Sequence, residues 1–90
     1  MWNQGDWLGK REKLLKKAIE SPKNLTFNEL RMLLEHHGFE HKNTTGSHEI
    51  YKYKNVMMNI QPDKSDKSKA KVFQIKQFLE KLRTHGMLED

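Results

Sequence analysis

The chain predicts an α+β domain in which helices cover one side of a three-stranded antiparallel meander. Apolar residues recur at helical spacing over 10–21, 26–37 and 68–83. Between the last two, residues 39–61 switch to short β-rich runs broken at Thr45-Gly46 and Lys54-Asn55, dipeptides suited to tight turns. The second and third helical stretches hold enough leucine, isoleucine and phenylalanine to cover one sheet face, which a meander requires.

Residues 1–9 have no periodicity and two glycines, and are read as a tail, disordered or docked through Trp2 and Trp7; residues 10–90 are read as one domain. The first helix, 10–21, stacks Leu14, Leu15, Ala18 and Ile19 on one stripe and Lys13, Lys16 and Lys17 on another. Pro22 ends it, because the residue before a proline is pushed out of the helical region. Thr26-Phe27-Asn28-Glu29 has the Thr-x-x-Glu pattern of a capping box, with Leu25 and Leu30 placed as a hydrophobic staple. Phe27, Leu30, Leu33 and Leu34 form the buried stripe of this second helix, and Gly38 is placed to stop it.

Three strands are expected over 39–44, 47–53 and 56–61. In the third, Val56, Met58 and Ile60 alternate with Met57, Asn59 and Gln61, so one face is buried. In the middle strand Ile50 opposes Glu49, Tyr51 and Tyr53, and the pattern does not choose its inner face. Pro62 closes the third strand and residues 63–68 are a polar loop. Ser68 is the expected N-cap of the last helix, whose stripe is Val72, Ile75, Phe78, Leu79 and Leu82. The far side of the sheet is left open to solvent or a partner.

Seventeen Lys+Arg stand against 12 Asp+Glu, and the surplus is uneven. Residues 10–24 hold six basic and two acidic side chains, 25–51 two and four, and 52–83 nine and three. Two basic segments flanking a mildly acidic one point to a polyanion-binding face, since clustered cations attract phosphates and release counterions. The absence of cysteine leaves no disulfide or thiolate metal site. No run approaches the roughly 18 apolar residues of a membrane span, and no signal-peptide core follows Met1, so a cytoplasmic protein without a membrane partner is expected.

P-loop, G-x-G-x-x-G and G-x-S-x-G patterns are absent, which removes the commonest nucleotide-binding and hydrolase classes. His36, His37 and His41 straddle the helix stop at Gly38 and share no helical face, so neither a metal site nor a cofactor is expected. His48 differs by position. It follows Gly46-Ser47 at a sheet end, where its imidazole can act on a ribose 2′-hydroxyl or a leaving oxygen. Ser47 is placed to orient it or to bond a phosphate. A histidine there equally serves to cap a strand and bond the turn.

The ordered set Gly38-Phe39 at a helix end, Gly46-Ser47-His48 followed three residues on by Tyr51, and the basic closing helix with Lys71 to Leu82 resembles the HicA-type toxins of bacterial toxin–antitoxin systems. The resemblance covers roughly residues 25–83, and the segment 10–21 is similar to the extra leading helix of longer members. It implies a double-stranded-RNA-binding-domain-like fold and a metal-independent endoribonuclease, an mRNA interferase, with His48 as general acid/base. It also implies mRNA or another RNA as substrate and a cognate antitoxin as partner. Ser47, Lys52, Lys69, Lys71 and Lys76 are the candidate RNA contacts. The chain departs from the pattern at Thr44-Thr45, where members often have a lysine or arginine. It departs again at Pro62-Asp63-Lys64, where they often have a histidine-containing loop. The alternative is a non-catalytic RNA-binding module of the same fold; a third reading is a protein-interaction domain using the open sheet face.

Overall fold

Helix α2 (Phe27–His36) is defined at both ends by its own sequence. Thr26 Oγ1 accepts from the Glu29 amide at 3.0 Å, and Glu29 Oε1 accepts from the Thr26 amide at 2.9 Å, closing the capping box. At the other end Gly38 (φ 90°) lets the Phe39 amide reach Leu34 O and the Gly38 amide reach Glu35 O, the paired bonds of a Schellman motif. A Cβ at Gly38 would also lie 2.9 Å from the Tyr53 ring, so two demands meet at that position.

This computed structural model describes residues 4–87, with side chains from residue 9 onward. The order is α1 (Gln4–Glu20), a 3₁₀ turn at Pro22–Asn24, α2, β1 (Glu40–Thr45), β2 (His48–Tyr53), β3 (Val56–Ile60) and α3 (Val72–Thr84). The fold is thus α+β: three helices and a three-stranded antiparallel sheet in the order β1-β2-β3. Helical assignment in α1 reaches back to Gln4 across a break at Gly9 (φ 73°); Trp2 and the side chain of Trp7 lie outside the described residues. Among the described residues no helix is long and apolar enough to cross a membrane.

Register assigns the faces that the pattern left open. Tyr51 opposes Met58 on one side and His41 on the other, and Glu49 opposes Ile60 and Thr44. Directly opposed residues share a face, so Glu49, Tyr51 and Tyr53 are the inner residues of β2. There Tyr51, with Tyr53 half-buried beside it, joins one core of α2, α3 and β3 side chains, including Leu30, Leu33, Met58, Ile60, Ile75 and Phe78. His48, Ile50 and Lys52 project to the outer face with Met57 and Asn59 of β3. Among the described residues no helix covers that face.

Several expectations are corrected. The first hairpin loop is Gly46-Ser47, because Thr45 pairs with His48 and so belongs to β1. Lys71, not Ser68, stands at the N-cap position of α3 and makes no side-chain cap bond; the Ser68 hydroxyl is bonded to Asp66, and residues 68–70 are drawn into backbone bonds with Leu25, Phe27 and Asp63. Ile19 is 53% exposed, whereas Leu14 and Ala18 of the expected stripe are buried and Leu15 is half-buried against the core. Phe39 follows α2 as a buried anchor before the strand begins at Glu40.

Candidate functional site

His48 opens β2 immediately after the Gly46-Ser47 turn, and strand alternation sends its ring to the uncovered face. Gly46 takes φ 61°, which glycine adopts without steric cost. Nδ1 of His48 lies 3.2 Å from Asn59 Oδ1. An amide oxygen only accepts, so Nδ1 is the donor in this contact, and in the neutral ring Nε2 is then the acceptor, at an exposed surface. Asn59 reaches His48 diagonally, because it sits opposite Ile50 on the neighbouring strand.

The next residue faces the other way and does different work. Glu49 accepts from Arg31 Nε at 3.0 Å and from a second Arg31 nitrogen, and the Tyr51 hydroxyl donates to it at 3.1 Å. The Arg31 hydrogen bonds hold the Glu49 carboxyl below the usual carboxylate range, and the guanidinium lies 4.5 Å over the Phe27 ring. Burial, with the Glu49 carboxylate beside it, pushes the Tyr51 phenol up to about 12. Tyr51, the aromatic three residues after His48, is therefore a neutral core group fastening β2 to α2.

Of the cations named from sequence, Lys52 shares the outer face with His48, four residues along β2. Lys69 and Lys71 lie in and just after the segment bridged to Thr26 and Pro62, where Asp66 and Asp63 sit close to them electrostatically. Lys76 is an exposed residue of α3, the helix that packs against the opposite face. Ser47 is exposed in the turn, and among the described residues no hydrogen bond joins it to His48. Lys52 is thus the one named lysine that the strand register puts on the histidine's face.

Beyond Lys52, at the end of the sheet, an open groove of about 430 Å³ is lined by Glu40 and Lys52 of the outer face together with Gly38, Lys42, Tyr53 and Lys54. Lys42 Nζ bonds Glu40 Oε1 at 2.9 Å, and Lys54 Nζ lies 5.3 Å over the Tyr53 ring. The other histidines are dispersed: His37 bonds Leu33 O at 2.8 Å and packs edge-on against Phe78, and burial lowers its pKa. His41 bonds Thr44 and lies against Tyr51. Among the described residues no three His, Cys, Asp or Glu side chains converge as metal ligands would.

Asn59 and Arg31 were not singled out from sequence. The alternation of β3 already separated Asn59 from the buried Val56, Met58 and Ile60, but linking it to His48 required the β2 register. No family model matches the chain, and neither a curated protein nor a solved structure matches it.

Proposed function

We propose that this protein is an endoribonuclease in which His48 accepts the proton of a ribose 2′-hydroxyl. The observation that carries the reading is the exposed imidazole whose Nδ1–H is held by Asn59, which leaves Nε2 free at an uncovered sheet face. As the proton moves to Nε2, the 2′-oxygen attacks the adjacent phosphorus and the 5′-oxygen of the next nucleotide departs, taking a proton from solvent. The products are a 2′,3′-cyclic phosphate and a 5′-hydroxyl. The nucleophile is supplied by the substrate itself, so this chemistry calls for no metal-bound water. A positioned general base of this kind contributes roughly 10²–10⁴-fold.

The helix–strand–strand–strand–helix order from α2 to α3 supports a double-stranded-RNA-binding-domain-like reading of the fold, with α1 as an added leading helix. Together with the Gly46-Ser47-His48 resemblance and the net charge of +5, it favours an mRNA interferase toxin. Such an enzyme acts in the cytoplasm and is held inactive there by a cognate antitoxin that covers His48.

The test compares purified wild type with His48→Ala on unlabelled cellular mRNA, with the termini of the fragments analysed. Wild type is expected to leave cyclic phosphate ends. His48→Ala is expected to lose cleavage by at least about 100-fold with an unchanged thermal midpoint. Cleavage retained in a folded His48→Ala protein overturns the assignment. Wild type that binds RNA and leaves it intact returns the protein to the class of non-catalytic RNA-binding modules.

A further inference from the structure

Extending the ribonuclease proposal, we infer that the outer sheet face is the track of a single RNA strand, with His48 at one end and a phosphate-binding subsite of Lys42, Lys52 and Lys54 at the other. All three lysines are exposed and line the same groove. Lys52 projects from the same face of the same strand as His48, and four residues of extended chain separate them by about 13 Å.

Charge complementarity selects the occupant. Three ammonium groups and one carboxylate surround the groove, and among the described residues neither Lys52 nor Lys54 is in an ion pair. Glu40 ties up Lys42 and is the one acidic side chain lining it. The cross-strand pair Glu40–Lys52 sets that carboxylate beside the lysine row. Between the subsite and His48 the floor is Ile50, Met57, Asn43 and Asn59, small or flexible side chains without an aromatic ring for a base to stack on. Contact there is with the backbone, and the expected readout tolerates any sequence. The width also argues for one strand: three β-strands set about 4.8 Å apart make a face only about 10 Å across, with its lysines clustered at one end. A duplex presents two rows of phosphates and is recognised across a far longer surface.

The experiment measures binding of the full chain to a dye-labelled, mixed-sequence oligonucleotide with every 2′-hydroxyl methylated, by fluorescence anisotropy over a salt series. Each phosphate neutralised on a single strand contributes about −0.7 to the slope of log K against log salt. Lys42→Gln/Lys52→Gln/Lys54→Asn is expected to flatten that slope by about 2; asparagine is chosen at position 54 because the residue there has φ 54°. Lys13→Gln/Lys16→Gln/Lys76→Gln removes the same charge from the helical layer and is expected to flatten it much less. Glu40→Gln frees Lys42 and is expected to tighten binding, a gain that misfolding cannot imitate. A blunt-ended duplex of the same sequence is expected to compete poorly.

Equal flattening by the two triple variants, no gain from Glu40→Gln, or full competition by duplex overturns the track. Cleavage that persists alongside such a result leaves the ribonuclease reading standing. Failure of wild type to bind or cleave any RNA removes both.

Discussion

The two faces of β2 divide the protein's work between alternate residues of one strand. Inward, Glu49 and Tyr51 are buried or nearly so and tied to Arg31 of α2, and Tyr51 packs in the core with Met58 and Phe78. Outward, His48 and Lys52 are exposed, and the bond from His48 to Asn59 joins two polar groups that water also solvates. A substitution inward disturbs packing and a charged hydrogen-bond set at once. One outward removes a group that the fold does not lean on. Adjacent positions should therefore report on stability and on chemistry separately, and the contrast is sharpest where both can be titrated.

Alkaline pH gives the largest expected effect, and it belongs to the inner face. The Tyr51 phenol has a folded pKa of about 12, above the 10.0 of a free tyrosine. A raised folded pKa means that stability is fully present below the unfolded value and is lost as pH rises through the folded one. Two units correspond to roughly 2–3 kcal/mol, shed between about pH 10 and 12. Tyr51→Phe keeps the ring and removes the titration. Urea unfolding of this variant is expected to cost about 1 kcal/mol at neutral pH, for the lost bond to Glu49, and to show a flatter decline above pH 10 than wild type. An equal alkaline decline in the variant would assign the loss to other groups.

Glu49→Gln comes next. Arg31 holds the Glu49 carboxylate below its ordinary pKa of 4.5. A depressed folded pKa contributes stability above the unfolded pKa that is lost as pH falls through the folded one, so the window lies at and below about pH 4.5. The Glu49 side chain is only 13% exposed but its arginine is 38% exposed. Screening by solvent at the arginine therefore limits the expected cost to about 1–2 kcal/mol near neutral pH. The acid limb of the stability profile should flatten in the variant. Cleavage of RNA is expected to survive, because Glu49 faces away from His48; a loss of activity without loss of stability would break the division between faces.

Much of this arrangement was legible in local pattern, and the rest depended on pairing. The capping box at Thr26–Glu29, the stop at Gly38, the buried alternation of β3 and the two-turn meander follow from steric and hydrogen-bonding rules that act within a few residues. The face of β2 was not legible, since its aliphatic residue, Ile50, points outward while two tyrosines and a glutamate point in. Glu49 reads as surface until Arg31, eighteen positions away, is brought beside it. The start of α3 falls later than expected because Ser68, a favoured N-cap residue type ahead of an apolar stripe, is held in tertiary backbone bonds instead. At the candidate site the turn and His48 were visible, whereas Asn59 and the clustering of Lys42 with Lys52 and Lys54 emerge only once strands are in register.

Asn59 provides the smallest and most discriminating expected effect. It is exposed, so replacement should move stability by no more than about 0.5 kcal/mol. Its amide oxygen holds the proton of His48 on Nδ1; alanine removes that preference, while aspartate keeps the acceptor and adds a charge that favours the protonated ring. Asn59→Ala is therefore expected to lower the rate of RNA cleavage modestly with no shift along the pH axis. Asn59→Asp is expected to move the rising limb of the pH–rate profile to higher pH, because the base must lose its proton beside a carboxylate. A residue that merely filled space would leave the cleavage rate of the alanine variant unchanged. Wild-type cleavage rates in Asn59→Ala, with no displacement of the pH profile in Asn59→Asp, would mean that Asn59 does not position the imidazole.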